Sequence, residues 1–120
     1  MKINKRQKPL LPSLREKRRY LAFEIVSESR IDDFSEVSDG ITASALSLLG
    51  YIETAKAGLI VMGDRWDRSR QRGIIRTGTR HLNGVMASLA LIDNIKGKKA
   101  MARSLGVSGA LNKAARYIAI

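Results

Sequence analysis

Arginine supplies the first chemistry this sequence offers, in the stretch Arg70-Gln71-Arg72-Gly73-Ile74-Ile75-Arg76-Thr77. Read as a strand, it places Arg72, Ile74 and Arg76 on one face, with Arg70 joining them if pairing extends that far. Positions on such a face recur every ~6.6 Å, so forked guanidinium groups there can follow a sugar-phosphate backbone. The competing use is an ion pair with an acid on a neighbouring strand, such as Glu24. A second cationic group, Arg15, Lys17, Arg18 and Arg19, precedes the first apolar run. Both groups can hold anions; neither contains a nucleophile or a general base.

Catalytic side chains are scarce elsewhere as well. His81 is the single histidine and there is no cysteine, which removes thiol nucleophiles, disulfides and thiolate zinc sites together and fits a reducing compartment. No glycine-rich loop carries the lysine and hydroxyl of a phosphate loop. Asp32, Glu36 and Asp39 recur at i, i+4 and i+7, close enough for a hard cation if another oxygen ligand joined them. Acids near a helix start are favoured by its dipole, so a solvated or partner-facing surface explains them more simply. His81 has no obvious carboxylate or nucleophile placed beside it, which argues for a helix start and against a general base. Trp66 sits in the polar segment Asp64-Arg65-Trp66-Asp67-Arg68, where it can either stack on a partner or pin the segment to the body.

The 120 residues carry 22 Lys and Arg against 11 Asp and Glu, a net charge of +11. That charge is segregated: residues 1–19 sum to +7, residues 20–64 to −6 and residues 65–120 to +10. A surface built only for solubility would mix its signs, so the pattern predicts one cationic side for a polyanion and one acidic side for a basic partner. Nucleic acid is the leading partner class. Hydrophobic residues make up 44% of the chain, too many for a disordered basic tail. No stretch approaches the ~18 apolar residues of a membrane span, and the first residues lack a signal-peptide core, so no membrane is expected and a cytoplasmic location is.

A chain of this length buries roughly two-thirds of its extended surface, enough for one core. Pro9 and Pro12 lie in a basic stretch without period, so residues 1–13 are expected to form an extended arm and residues 14–120 a single domain. Tyr20 to Ser27 alternates as a strand, with Leu21, Phe23 and Ile25 on one face. Asp32 or Asp33 can cap a helix whose apolar positions run from Phe34 to Leu49, with Gly50 as its stop. Ala57 to Met62 and Gly73 to Thr77 read as two strands of a long hairpin. Thr77 or Thr79 can cap a second helix through Leu82, Val85, Met86, Leu89 and Ile92, ended by Gly97. Lys98 to Leu105 reads as a strand and Gly106 to Gly109 as a turn. Ser108 then caps a last helix, Ala110 to Ala119, with Leu111, Ala114, Ala115 and Ile118 facing inward.

The resulting order, βαββαβ plus a helix, is the α+β sandwich of ferredoxin-like and RRM-like domains: an antiparallel sheet with two helices on one face. The added helix is expected on or beside the other face, where its apolar stripe finds cover. An RRM third strand opens with a basic residue and glycine, as Arg72 and Gly73 do, but Ile74 and Arg76 stand where aromatics would stack on bases. With aromatics at 5%, recognition should lean on shape and backbone charge. Three function classes remain: a general, ribosomal-type RNA-binding module; a ferredoxin-like regulatory domain for a small ligand; and a metal-dependent nuclease using Asp32 or Glu36.

Three stretches go further. Leu11 to Phe23 (LPSLREKRRYLAF), Gly73 to Arg76 with the second helix through Ala87-Ser88-Leu89-Ala90-Leu91-Ile92, and Ser104 to Gly109 (SLGVSG) resemble, in register, the archaeal ribonuclease P protein component 2 family. That family is the counterpart of a small subunit of eukaryotic RNase P and RNase MRP. The resemblance implies a noncatalytic subunit of the endoribonuclease that removes the 5′ leader of precursor tRNA. It implies that the RNA subunit, with bound Mg2+, performs the hydrolysis, and that this chain binds no cofactor or metal of its own. Implied partners are the RNase P RNA, protein component 3 (a TIM-barrel-like subunit) and other RNase P proteins; direct contact with precursor tRNA stays open. On this resemblance the RNA-binding residues are Arg15, Lys17, Arg18, Arg19, Arg72, Arg76, Arg80 and Arg103, while the acidic or apolar helix faces meet the protein partner.

Overall fold

Leu21, Phe23 and Ile25 alternate along the first strand and are almost wholly buried, and the fold is organised around them. The structure, a computed structural model, describes residues 17–120; the expected arm at residues 1–13 and Arg15 lie outside the described residues. In chain order the elements are β1 (Arg18–Ser27), α1 (Phe34–Ala57), β2 (Ile60–Val61), β3 (Arg72–Gly78), α2 (Leu82–Ala90), β4 (Asn94–Ile95), β5 (Lys98–Ser108) and α3 (Leu111–Ala119). The sheet is antiparallel with strand order β2-β3-β1-β5-β4. This is the expected ferredoxin-like arrangement with one further strand, β4, on its edge.

On one face α1 and α2 cover Leu21, Phe23, Ile25 and Ile75, together with Val37, Ile41, Val85 and Leu89. Trp66 belongs to this layer, its ring stacked on Phe23 at 6.1 Å and tilted against Phe34 at 6.0 Å. It therefore pins the β2–β3 loop to the body, on the side of the sheet away from α3. The opposite face holds Ala22 and Ile74, both fully buried, and α3 lies over them with Ala114 equally buried. A Cβ at Gly106 would come within 2.4 Å of the Tyr117 ring, so only glycine lets α3 lie this close to β5.

Several boundaries differ from those the sequence predicts. Asp33 caps α1, its Oδ1 accepting from the Ser35 amide at 2.9 Å, but the helix does not stop at Gly50. Gly50 takes φ 81° and ψ 171°, which kinks the helix, and helical turns resume as far as Ala57. The expected strand from Ala57 shrinks to Ile60–Val61 because the helix has consumed its start. Neither Thr77 nor Thr79 caps α2: His81 occupies that position, and its side chain makes no capping bond to the helix. Thr77 instead donates to the Ala57 carbonyl at 3.0 Å, and Thr79 to that of Lys17 at 2.8 Å. Gly97 does not end α2 but turns β4 into β5. Gly106 to Ser108 continue β5, with a bulge opposite Ala22 and Phe23, so the predicted GVSG turn is strand. Ser108 Oγ accepts from the Ala110 amide at 3.1 Å, ahead of the helix it was expected to cap.

Candidate nucleic-acid interface

The candidate cationic residues fall into two main groups at opposite ends of β3. Register sets the first: Glu24 stands opposite Arg72 on one side and Arg103 on the other. Arg72 Nε donates to Glu24 Oε2 at 2.9 Å, and Arg103 Nε donates to Oε1 at 2.7 Å. Hydrogen bonding from Arg72, joined by Arg103, holds the Glu24 carboxyl below its usual 4.5 even though burial pushes the other way. Arg72 also donates Nη1 to the Ile120 carbonyl at 2.6 Å, which ties the end of α3 to the sheet. One carboxylate thus serves two guanidiniums.

Gln71 immediately precedes this strand. Its backbone takes φ 53°, and its buried side chain accepts from the Ile31 amide at 2.7 Å and donates to the Ile25 carbonyl at 2.9 Å. Arg70, which would have extended the arginine face, pairs instead with Asp67 at 3.5 Å in the preceding turn. Asp67 accepts from the Arg70 and Ser69 amides, and these bonds hold its carboxyl below its usual range.

The second group lies where β1 begins, β3 ends and α1 gives way to β2. Lys17, Arg18, Arg19, Lys56 and Arg76 line an open cleft of about 980 Å³ there, together with Tyr20, Gly58, Gly78 and Gly109, and among the described residues no acidic side chain is in its wall. Among the described residues no carboxylate pairs with Lys17, Arg18, Arg19 or Arg76; Lys56 has only an exposed contact of 3.7 Å with Glu53. Arg18 faces Gly78 across the strands and Tyr20 faces Arg76, so the pleat opens a space between cations. Four cations without a described counter-ion, and a fifth only weakly paired, repel one another at this spacing, and a polyanion relieves that repulsion.

Of the residues expected to bind RNA, the structure therefore gathers Lys17, Arg18, Arg19 and Arg76 into one cleft and gathers Arg72 with Arg103 around Glu24. Arg80 is exposed on the helical turn Thr79–His81, held beside the start of β1 by the Thr79 bonds to Lys17, and is outside the cleft wall. Sequence reasoning missed Lys56. It lies in the acidic middle of the chain, and only the C-terminal end of α1 carries it to the cleft, where a cation also suits the helix dipole. His81 likewise has a carboxylate that the sequence did not reveal: Glu53, one helix away, stands 3.1 Å from its Nε2. Asp32 pairs with Arg30 at 2.9 Å and Glu36 with Lys98 at 3.9 Å. Among the described residues no three acids, histidines or cysteines gather as a metal site, and no helix is long and apolar enough to cross a membrane.

The topology and the cleft together define a class: basic ferredoxin-like domains whose outer sheet face is closed by a helix and whose sheet end is open to anions. The chain belongs, within that class, to the Rpp14/Pop5 family, whose model matches residues 19–119. It is similar to the ribonuclease P protein component 2 of Pyrococcus furiosus, 38% identical over 114 residues that cover 95% of this chain and 92% of the relative. The protein of the same name from Methanosarcina mazei is 40% identical over 107 residues, covering 89% and 88%. A chain in the cryo-EM structure of yeast ribonuclease MRP shares the fold, with a TM-score of 0.62 at 12% identity over 87% of each chain.

Proposed function

We propose that this chain is a noncatalytic protein subunit of ribonuclease P, the endoribonuclease that removes the 5′ leader of precursor tRNA. Its task is to bind and organise the catalytic domain of the RNase P RNA together with protein component 3, while the RNA and its Mg2+ carry out the hydrolysis. The cleft lined by Lys17, Arg18, Arg19, Lys56 and Arg76 carries this reading. Uncompensated cations set around glycine backbone suit phosphates brought together where RNA helices pack, and they supply affinity without reading bases. Family membership and the names of the relatives support the particular assembly.

Gentle purification of the tagged chain from its source cells, followed by sequencing of the RNA that accompanies it, tests the proposal. Dominant enrichment of RNase P RNA, with protein component 3 in the same fraction, is the expected result. Enrichment of ribosomal RNA, or of nothing above background, would overturn it and leave a general RNA-binding module.

A further inference from the structure

The chain has two Phe, three Tyr and one Trp, and five of these six rings are placed away from the cleft. Trp66 stacks on Phe23 and is tilted against Phe34, on the helix-covered side of the sheet. Tyr117 lies over Gly106 on α3, and Tyr51 stands 82% exposed on α1. Tyr20 is the exception. It is half-buried in the wall of the basic cleft, opposite Arg76 on one neighbouring strand and Ser108 on the other, and on the same face of β1 as Arg18. Among the described residues no other ring stacks on it.

We propose that the cleft is a nucleotide site in which the cations hold phosphates and the ring of Tyr20 stacks on one unpaired base. The inference rests on the reading of the cleft as an RNA contact and names what that contact takes. A base inside a continuous helix has both faces covered by its neighbours, so only a bulged, flipped or terminal base can meet a side-chain ring. The cleft exceeds the volume a single nucleotide needs, and pockets of this size commonly hold ligands of that class. It cannot extend across the sheet. Open RRM-type sheets stack two or three bases on the equivalent face, whereas here Ala22 and Ile74 are sealed beneath α3. One ring among cations at the edge of a closed face fits one base and the phosphates on either side of it.

The test uses the full chain and two synthetic RNAs: a plain duplex, and the same duplex with a single bulged 2-aminopurine. Wild type and Tyr20→Phe should prefer the bulged RNA by roughly tenfold and quench its fluorescence, because base–aromatic stacking needs the ring and not the hydroxyl. Tyr20→Leu should lose both the preference and the quenching, binding the two RNAs alike. Circular dichroism and thermal unfolding check that the leucine variant is folded. Preference or quenching that survives in Tyr20→Leu would overturn the stacking role. So would equal, salt-sensitive binding of both RNAs by wild type, an outcome that leaves the phosphate cleft standing. If wild type binds neither RNA at low salt, the cleft reading falls and this inference falls with it.

Discussion

Arg72 and Arg76 stand four residues apart on β3, on the same face and in the same short motif, yet their surroundings differ in kind. Arg72 meets a carboxylate it shares with Arg103, and a backbone carbonyl from the end of α3. Arg76 meets Tyr20 across the strands and lies in a cleft with four more cations and, among the described residues, no acid. The two positions are about 13 Å apart along the strand, beyond the ~10 Å screening length at 0.1 M salt, so the ends act as separate electrostatic sites. Equal residue types on one strand face are thus divided between paired and unpaired states by what lies opposite them. The Glu24 end is largely an internal joint that fixes α3, and the Arg76 end is open, with no described carboxylate beside it.

The largest expected effect breaks the contrast at its open end. Replacing Arg18, Arg19 and Arg76 with alanine together should weaken RNA binding on the order of 100-fold near 0.1 M salt, and each lost phosphate contact should lower the log-log salt slope by roughly 0.7 to 0.9. Replacing Arg72 and Arg103 together should lower that slope by less than one contact's worth per residue, since Glu24 already neutralises one of them. Titrations of RNase P RNA across salt concentrations compare the two sets; equal slopes would erase the distinction.

At the closed end, Glu24→Ala should cost about 2 kcal/mol of stability, because it strands a largely buried Arg72 and releases Arg103. The same variant should bind RNA more tightly than wild type, having turned a joint into two free cations. Chemical denaturation and RNA titration of the one variant measure both signs.

Gly106→Ala should destabilise by about 1 to 2 kcal/mol, because the added methyl drives the Tyr117 ring and α3 away from β5. Lifting α3 also separates the Ile120 carbonyl from Arg72, so the two ends should become more alike in their salt dependence. A smaller effect follows from acid. Glu24 has its carboxyl pKa lowered in the folded state, so its contribution is complete above the unfolded value near 4.5 and is lost as pH falls through the native value. The gap in thermal midpoint between wild type and Glu24→Ala should therefore be constant near neutral pH and close below about 4.5.

Much of the fold is legible from side-chain periodicity. Leu21, Phe23 and Ile25 alternate and define β1; Val37, Ile41 and Ala45 recur at helical spacing and define α1; Ala114 and Ile118 mark the inward stripe of α3. Boundaries are less legible where one residue type serves two ends. Gly50 carries the positive φ expected of a helix stop, but the following turns form a helix again, and the bond from Thr77 on β3 to the Ala57 carbonyl ties their end to the sheet. Thr77 and Thr79 have the side chains of N-caps, yet their hydroxyls reach carbonyls distant in sequence, and no local pattern encodes that choice.

The candidate site divides in the same way. Composition and order determined that the chain is basic, that its cations bracket an acidic middle and that arginines recur on β3, because charge and two-residue alternation are properties of the chain itself. Tertiary structure alone decided which arginines stay free. It set Glu24 between Arg72 and Arg103 through the register of three strands and brought Lys56 around from the acidic segment. It also left Tyr20 the one ring within a cluster of unpaired charge. Whether a guanidinium is neutralised depends on the atoms within a few ångströms of it, and in a sheet those atoms come from strands far away in sequence.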